Sequence, residues 1–527
     1  MTMSAPEPFS WTKKKFLDLP PEIILKTMNG MGVEMSVRDV VNIAQTCSSL
    51  RKLVFENKSV ILNTHNLHAL SSPHGPPLKA MSSQELYARA VKSSTLSARL
   101  SKTESPLDCR SEVIYDLGKL TADLAEPERA DHSHFFVYED IVAFLLKDVL
   151  FVLRLGESGH VQEHVQVELA QRSSVGDRVE YQLTDDETSL LIASAGDEFG
   201  DTSPIQVHEV SIDPNSFGRT TCHLEVKNIP QSYFMITLRD PYLALVVMEE
   251  ILIIDWRRKT AVRLQLLPQD PEGYEDLRDY VDQFTTVVFH PTEPLLVAFD
   301  SWRAQYQLAG IYLVDIPTDM SALTPEGDAS HLTIRQIDSR KLPRPIIPHF
   351  HASVFPTGIF PSVSQSSWVL ELFIQGRECR DFIPNDPDVE PDDGRGDVEV
   401  AQISLDLSEW TTTQPEILSE NVIHHYRIDI LNMRGNRFFG FTFPTDTVPG
   451  ERQVIVPKFE DGHGYGTSWA RLAIPASIPA AFEVSRYGPI HSPSSEMRSW
   501  QSAISCFDKT TGRLFVYLPD GLHVLQY

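Results

Sequence analysis

Apolar residues follow two different periods along the chain, and the change falls near Asp131. Before it they recur at helical spacing. Pro20 and Pro21 fit the first turn of a helix, where a missing N–H costs nothing, and Glu22 suits the positive helix start. Ile23, Ile24 and Met28 then supply an apolar face. Ser36 stands three residues before Asp39, a capping-box-like pair, and Val37, Val40, Val41 and Ala44 follow at i, i+3, i+4 and i+7. A third short helix is predicted from Ser48 or Ser49, with Leu50, Leu53 and Val54 on one face. The run from Ser71 to Pro77 reads as a linker by its turn-forming content. Ser82 to Glu85 is a cleaner capping box, and Leu86, Ala90 and Leu96 continue that helix.

Beyond Asp131 the chain repeats a loose unit: a turn with Asp or Pro, an apolar run, a short polar break, and a second apolar run. Tyr138-Glu139-Asp140 leads into Ile141 to Leu146 and then Val149 to Leu153. Arg239-Asp240-Pro241 leads into Tyr242 to Met248 and then Ile251 to Trp256. His290-Pro291 leads to Leu295 to Phe299 and Ile311 to Asp315, and Gly512-Arg513 to Leu514 to Leu518 and Leu522 to Leu525. Weaker versions occur at Leu190 to Val210, Trp368 to Leu405 and Phe438 to Val456. About seven units at intervals of roughly 45 to 90 residues predict a propeller of four-stranded blades. Ile253-Ile254-Asp255-Trp256 and Ile311 to Asp315 resemble the end of the third strand in WD-type repeats, although most Gly-His and Trp-Asp marks are missing. A pair of β-sandwiches or a β-rich solenoid fits the same pattern. Leucine-rich repeats do not, since no LxxLxLxxN series occurs.

The expected fold class is therefore mainly β with a small all-α N-terminal module. The expected organisation is a lead at 1–15, a helical module at 16–62, a linker and helix at 63–130, and a propeller-like domain of about seven blades at 131–527. An acidic, proline-rich stretch at 384–397 reads as a solvated loop within that domain.

Composition narrows the function classes. The chain has 527 residues, 42% hydrophobic and 9% aromatic, ample material for a large core. No run of about 18 apolar residues occurs, so no membrane helix is expected. The N-terminal residues lack the order of a secretory signal, so the expected location is cytoplasmic or nuclear. Five scattered cysteines form no CxxC pair, against both a disulfide framework and a zinc site. The net charge is −26, unevenly spread: residues 1–110 hold 14 basic and nine acidic side chains, a charge of +5, leaving −31 for the rest. So acidic a body disfavours nucleic-acid binding, while a basic head suits an acidic protein partner.

Phe16-Leu17-Asp18-Leu19-Pro20-Pro21-Glu22-Ile23-Ile24-Leu25 resembles the opening of the F-box, whose pattern is roughly L-x-x-L-P-x-E-[IV]. The resemblance continues through Val40, Val41, Ile43, Ala44, Thr46, Cys47, Leu50, Arg51 and Leu53, and a repeat domain behind such a module is the usual layout of F-box proteins, fungal ones especially. It implies a three-helix module that docks on a Skp-type adaptor, through which a cullin is reached, and a C-terminal domain that presents an unidentified protein substrate for ubiquitin transfer. By position, the adaptor-binding residues would be Leu17, Pro20, Ile23, Ile24, Leu25, Val40, Val41 and Leu50, the last three supporting the module or completing its interface. The alternative is an F-box-like scaffold without ligase work; a propeller enzyme with carboxylates at the blade centre is a third reading.

No residue pattern points to catalysis, a cofactor or a metal. His349-Phe350-His351 would put two rings on one face of a strand, but no third ligand stands at motif spacing, and His424-His425 is no stronger. Asp392 to Asp397 holds fragments of a calcium loop without the remaining oxygen ligands. Gly462 to Gly466 follows no phosphate-loop pattern, and neither GxSxG nor HExxH occurs. Trp302, Arg303, Arg344 and His349 are loop candidates for reading a substrate on an axial face.

Overall fold

The computed structural model describes residues 19–29, 35–64, 66–70, 78–101, 105–121, 135–146, 149–156, 159–169, 179–195, 204–227, 235–247, 250–266, 284–301, 309–324, 327–329, 331–337, 340–341, 350–361, 368–378, 398–406, 417–423, 428–432, 439–442, 453–458, 468–475, 478, 505–508, 510–518 and 521–527.

The head is helical. Helices α1 (Pro21–Met28), α2 (Val37–Thr46), α3 (Ser48–Glu56), α4 (Ser59–Leu62) and α5 (Ser83–Ser101) follow in order, with a 3-10 turn at Leu67–Leu70 before α5. The capping box on α2 is complete: the Ser36 hydroxyl accepts from the Asp39 N–H, and the Asp39 carboxylate accepts from the Ser36 N–H at 3.0 Å. Asn66 adds a second anchor, accepting from the Val37 N–H at 2.8 Å. Cys47 caps α3 through its sulfur. Ile24, Met28, Val40, Val41, Ala44, Leu50, Val54 and Ile61 then close one core with Leu86, Tyr87 and Ala90 of α5.

Among the described residues, the body consists of seven sheets, each a meander of four strands or built upon one. The first contains Phe136–Tyr138, Ile141–Leu146, Val149–Leu155 and Val161–Glu168; the second Val179–Leu183, Ser189–Ala195, Ile205–Ser211 and Thr220–Val226; the third Met235–Arg239, Tyr242–Val247, Glu250–Asp255 and Thr260–Leu266. The fourth contains Phe284–Phe289, Leu295–Ser301, Ala309–Asp315 and Arg340–Lys341; the fifth Phe350–Pro361, Trp368–Glu378, Val398–Asp406 and Ile417–Ile423. The sixth contains Ile428–Asn432, Phe439–Thr442, Gln453–Lys458 and Ser468–Ala473. The seventh joins Ser505–Asp508, Arg513–Leu518 and Gly521–Gln526 to Ser111–Tyr115, a strand from the stretch read as linker. Each of the seven repeat units in the sequence falls in its own sheet.

Continuous apolar runs follow from burial on both faces. In the first sheet Val142, Phe144 and Leu146 pack toward the seventh, whereas Ile141, Ala143 and Leu145 pack toward the second. In the third, Leu243 and Leu245 meet the second sheet, and Ala244 and Val246 meet the fourth. Successive side chains of a strand point to opposite faces, so a sheet with neighbours on both sides needs apolar residues at every position. The first strands lie side by side: Met235–Arg239 against Val179–Leu183 and Phe284–Phe289, Phe284–Phe289 against Phe350–Pro361, and Ser505–Asp508 against Phe136–Tyr138 and Ile428–Asn432. The sheets are thus stacked in the order six, seven, one, two, three, four, five around their first strands, a propeller-like arrangement.

Two devices tie distant parts of the chain together. Ser111–Tyr115 zips antiparallel onto Gly521–Gln526, and Glu112 meets the buried His523 at 2.8 Å across that seam. Helix α5 serves two cores: Leu86, Tyr87 and Ala90 belong to the head, while Leu96 and Leu100 pack with Phe507, Leu514 and Val516 of the seventh sheet. At the contact stands Gly512, with φ +70°, where a Cβ would lie 3.0 Å from Leu96 Cδ1. A side chain there would be strained by the positive φ, and the Leu96 side chain would have to give by a few tenths of an ångström.

The third sheet has a protected edge. Ser321–Ala322 pairs antiparallel and Ile334–Ile337 parallel with Thr260–Leu266, before the chain returns to the fourth sheet at Arg340–Lys341. Covering an edge in this way removes a template for intermolecular pairing.

Phe144 tests the two-faced packing. Its ring stacks on Phe135 and Phe151 at centroid distances of 5.6 and 5.5 Å and meets Tyr517 of the seventh sheet at 5.3 Å. Phe144→Ala is expected to cost about 3–5 kcal/mol in chemical denaturation. Exposed Ile334→Ala is expected to change stability by less than about 0.5 kcal/mol.

Candidate functional site: the exposed face of the helical head

The geometry of α1 begins with its two prolines. Pro20, at φ −54° and ψ 141°, is the N-cap and Pro21 the first helical residue. The Pro20 carbonyl accepts from the N–H groups of Ile23 at 2.9 Å and Ile24 at 3.2 Å. This turn fixes which side of α1 faces outward. Ile24 and Met28, four residues apart, enter the core, while Pro20, Pro21, Glu22, Ile23 and Lys26 stay on the surface. Ile23 is 47% exposed, one of three large hydrophobic residues so exposed among the described residues.

The predicted adaptor-binding residues therefore divide. Pro20 and Ile23 lie on the surface and Leu25 is half-buried. Ile24, Val40, Val41 and Leu50 are buried in the head's own core, where they hold the turn that displays Ile23. Leu17 lies outside the described residues. So do Trp302, Arg303, Arg344, His349, His424-His425, Asp392 to Asp397 and Gly462 to Gly466.

Lys26 was not singled out in the sequence. It stands one turn beyond Ile23, on a neighbouring part of the same helix surface. The signal available for it was the basic balance of the head as a whole.

Ionisable groups of the body are largely engaged in holding sheets and turns. Arg257 grips Asp240 with two hydrogen bonds of 2.6 and 2.5 Å and lies 4.4 Å above the Trp256 ring, while Asp240 takes a further bond through its N–H to Gln182 of the second sheet. Arg263 donates to Glu250 at 2.7 and 3.0 Å and to the Leu332 carbonyl of the edge-covering segment. Arg239 donates to the carbonyls of His290 and Glu293 and lies against Tyr242 and Phe289. His223 meets Glu209 at 2.6 Å beside Trp256. Among the described residues no group of three or more His, Cys, Asp or Glu side chains is placed to hold a metal ion, and no helix is long and apolar enough to cross a membrane.

No family model matches the chain, and no curated protein matches it. Among solved structures, the WD40 domain of SCAP from fission yeast is similar at 10% identity over 74% of this chain and 82% of that one, with a TM-score of 0.34. Hsv2 of Kluyveromyces marxianus is similar at 8% identity over 74% of this chain and 93% of that one, with a TM-score of 0.29. Hsv2 of Kluyveromyces lactis matches at 10% identity over 48% and 70%, with a TM-score of 0.27. Likenesses this remote leave the architecture resting on the chain's own packing and say nothing of its function.

His290 provides a pH-dependent check on the body. Burial holds its imidazole down at about 4, and its Nδ1 accepts from the N–H groups of Glu293 at 2.9 Å and Thr292 at 3.3 Å, which requires the neutral ring. The unfolded chain binds this proton more readily, with a pKa of about 6.5. Stability from His290 is therefore complete above about pH 6.5 and is lost as pH falls toward 4. His290→Asn keeps an acceptor for the same turn without a titrating ring. In denaturant titrations at pH 7.5 and 5.0, the wild type should lose more stability than the variant.

Proposed function

We propose that the chain is a non-catalytic substrate receptor of the F-box class. Its helical head docks on a Skp-type adaptor that brings a cullin, and its β body holds a protein target for ubiquitin transfer. The observation that carries the reading is the display of Ile23 outside a core that is complete without it. An isoleucine left in water on a proline-fixed turn gains free energy by entering a partner's groove, about 1.5–3 kcal/mol for full burial. The sequence resemblance puts the adaptor contact at this turn. The three-helix core of Ile24, Val40, Val41 and Leu50 supports it, because it fixes the turn's orientation.

The stack of sheets supports the second half of the reading. We propose that it closes into a seven-bladed ring, with the seam between Ser111–Tyr115 and Gly521–Gln526 locking the chain's two ends of the body. Helix α5, shared by both cores, would hold target and adaptor at a fixed separation.

Capture of the full chain by a purified Skp-type adaptor tests the docking face. Ile23→Asp is expected to weaken capture at least about tenfold, since a charge would have to enter an apolar groove. The melting of the β body should be unchanged, because Ile23 is not part of any core. Capture at wild-type strength by Ile23→Asp would overturn the assignment of the face. Capture that never brings a cullin would favour a scaffold over a ligase receptor.

A further inference from the structure

The strand that covers the third sheet is held more loosely than the strands it covers. Ile334–Ile337 runs parallel to Arg263–Leu266 over four residues, whereas the other described pairings of that sheet are antiparallel. Parallel pairing is slightly less stable per residue. Ile334 keeps its side chain 42% exposed, so it contributes little burial. Arg335 meets the exposed Asp319 carboxylate at 2.9 Å and donates to the Asp319 carbonyl at 2.7 Å. An ion pair in such a position adds little to stability. The firm anchors of the same insertion all come earlier. Gly327 accepts from the Lys227 N–H at 2.8 Å, and Ala329 and Leu332 are buried in the core between the second and third sheets. Arg263 holds the Leu332 carbonyl. On its inner side Thr260–Leu266 is in register with Glu250–Asp255 along that strand's whole length, a pairing that owes nothing to Ile334–Ile337.

We propose that Ile334–Ile337 is an exchangeable cover, and that the edge it occupies, Arg263–Leu266, takes an extended segment of a partner protein in its place. The cover describes the chemistry of its replacement. Residues 331–337 read His-Leu-Thr-Ile-Arg-Gln-Ile, aliphatic residues around one cation with no acid among them. A partner segment of that composition suits a body of strongly negative charge, and release of Arg335 frees Asp319 to receive the incoming cation. Ladder hydrogen bonds would supply affinity and the side chains selectivity. Exchange leaves Ala329 and Leu332 seated, so the core beneath is not opened. The covalent connection keeps the cover at an effective concentration on the order of millimolar, which closes the edge to casual pairing until a partner competes. This gives the target-holding half of the reading proposed above a place and a partner chemistry. Its test contains no adaptor, so docking of the head and exchange at this edge can fail separately.

The probe is a fluorescently labelled peptide with the sequence of residues 331–337, titrated with the full chain and followed by anisotropy. In the double variant Arg335→Pro, Gln336→Pro the cover loses two consecutive N–H groups, one of which faces the ladder whichever way the strand is turned. This variant should bind the peptide at least about tenfold more tightly than the parent, because the competitor held in place by the chain is gone. Arg335→Glu sets a carboxylate against Asp319 and should fall between the two. A peptide carrying Ile334→Glu and Arg335→Glu should bind the proline variant at least about tenfold more weakly than the unaltered one. Equal binding of the unaltered peptide by parent and proline variant would show that this strand does not gate the edge. A proline variant that melts like the parent yet takes no peptide would show that the edge accepts no strand. Equal binding of the two peptides would contradict the partner chemistry, and loss of folding in both variants would make the strand structural instead of exchangeable. Each of these four results would overturn the proposal.

Discussion

Burial of each sheet on both of its faces is the constraint on which the body depends. Leu243, Leu245, Leu252, Ile254 and Trp256 put five large side chains on one face of the third sheet, and Ala244, Val246, Ile251 and Ile253 occupy the other. Exposing the first set alone would cost on the order of 10 kcal/mol, comparable with the whole stability of an ordinary domain. No sheet of this kind is stable by itself, so each forces a neighbour onto it and the sheets stack. The arginines that link neighbouring sheets follow from that requirement. Arg239 of the third sheet satisfies carbonyls of a turn in the fourth, and Arg154 of the first donates to the Ile212 carbonyl beside the second, while Arg257 holds the Asp240 carboxylate of a neighbouring turn in its own sheet.

The same logic explains why the head is not an independent bead on a tether. Four short helices bury too little to be stable alone, and α5 supplies the missing surface with Leu86, Tyr87 and Ala90. Two turns later the helix spends Leu96 and Leu100 on the seventh sheet. Nineteen residues of continuous helix thus convert two cores into one body, and Gly512 marks the place where the β side yields room for it. The surface that α1 displays is consequently held in a fixed direction relative to the sheets.

Much of this was legible in the sequence because it depends on local pattern. Ser36 with Asp39, and Ser82 with Glu85, announce helix starts through residues whose side chains have few other local uses. Turns at Glu139-Asp140, Asp240-Pro241, His290-Pro291 and Gly512-Arg513 punctuate the apolar runs of four of the seven units, and the other three were legible from weaker apolar runs. The strand Ser111–Tyr115 escaped notice because its partner, Gly521–Gln526, lies about four hundred residues away, and a lone five-residue strand carries no turn signal of its own. The edge-covering strand at Ile334–Ile337 was missed for a related reason: its parallel pairing with Thr260–Leu266 is set by the route of an insertion, not by any local period.

At the candidate site the limit is sharper. Ile23 and Ile24 are adjacent and chemically identical, and sequence pattern assigns both to one apolar face. A helix advances about 100° per residue, so two neighbours cannot both point inward unless the core wraps far around the helix. Which one is sacrificed to solvent is decided by Met28, which stands four residues after Ile24 and shares its direction into the core. The Pro20 turn then leaves Ile23 outside. An F-box-like motif consequently contains two kinds of apolar residue that a motif cannot separate. Ile24, Val40, Val41 and Leu50 build the platform, and Ile23, with Pro20 beside it, is what the platform leaves exposed. On the docking reading proposed above, loss of a platform residue should act through folding and loss of Ile23 through binding, so the two kinds differ in mechanism although both would weaken docking.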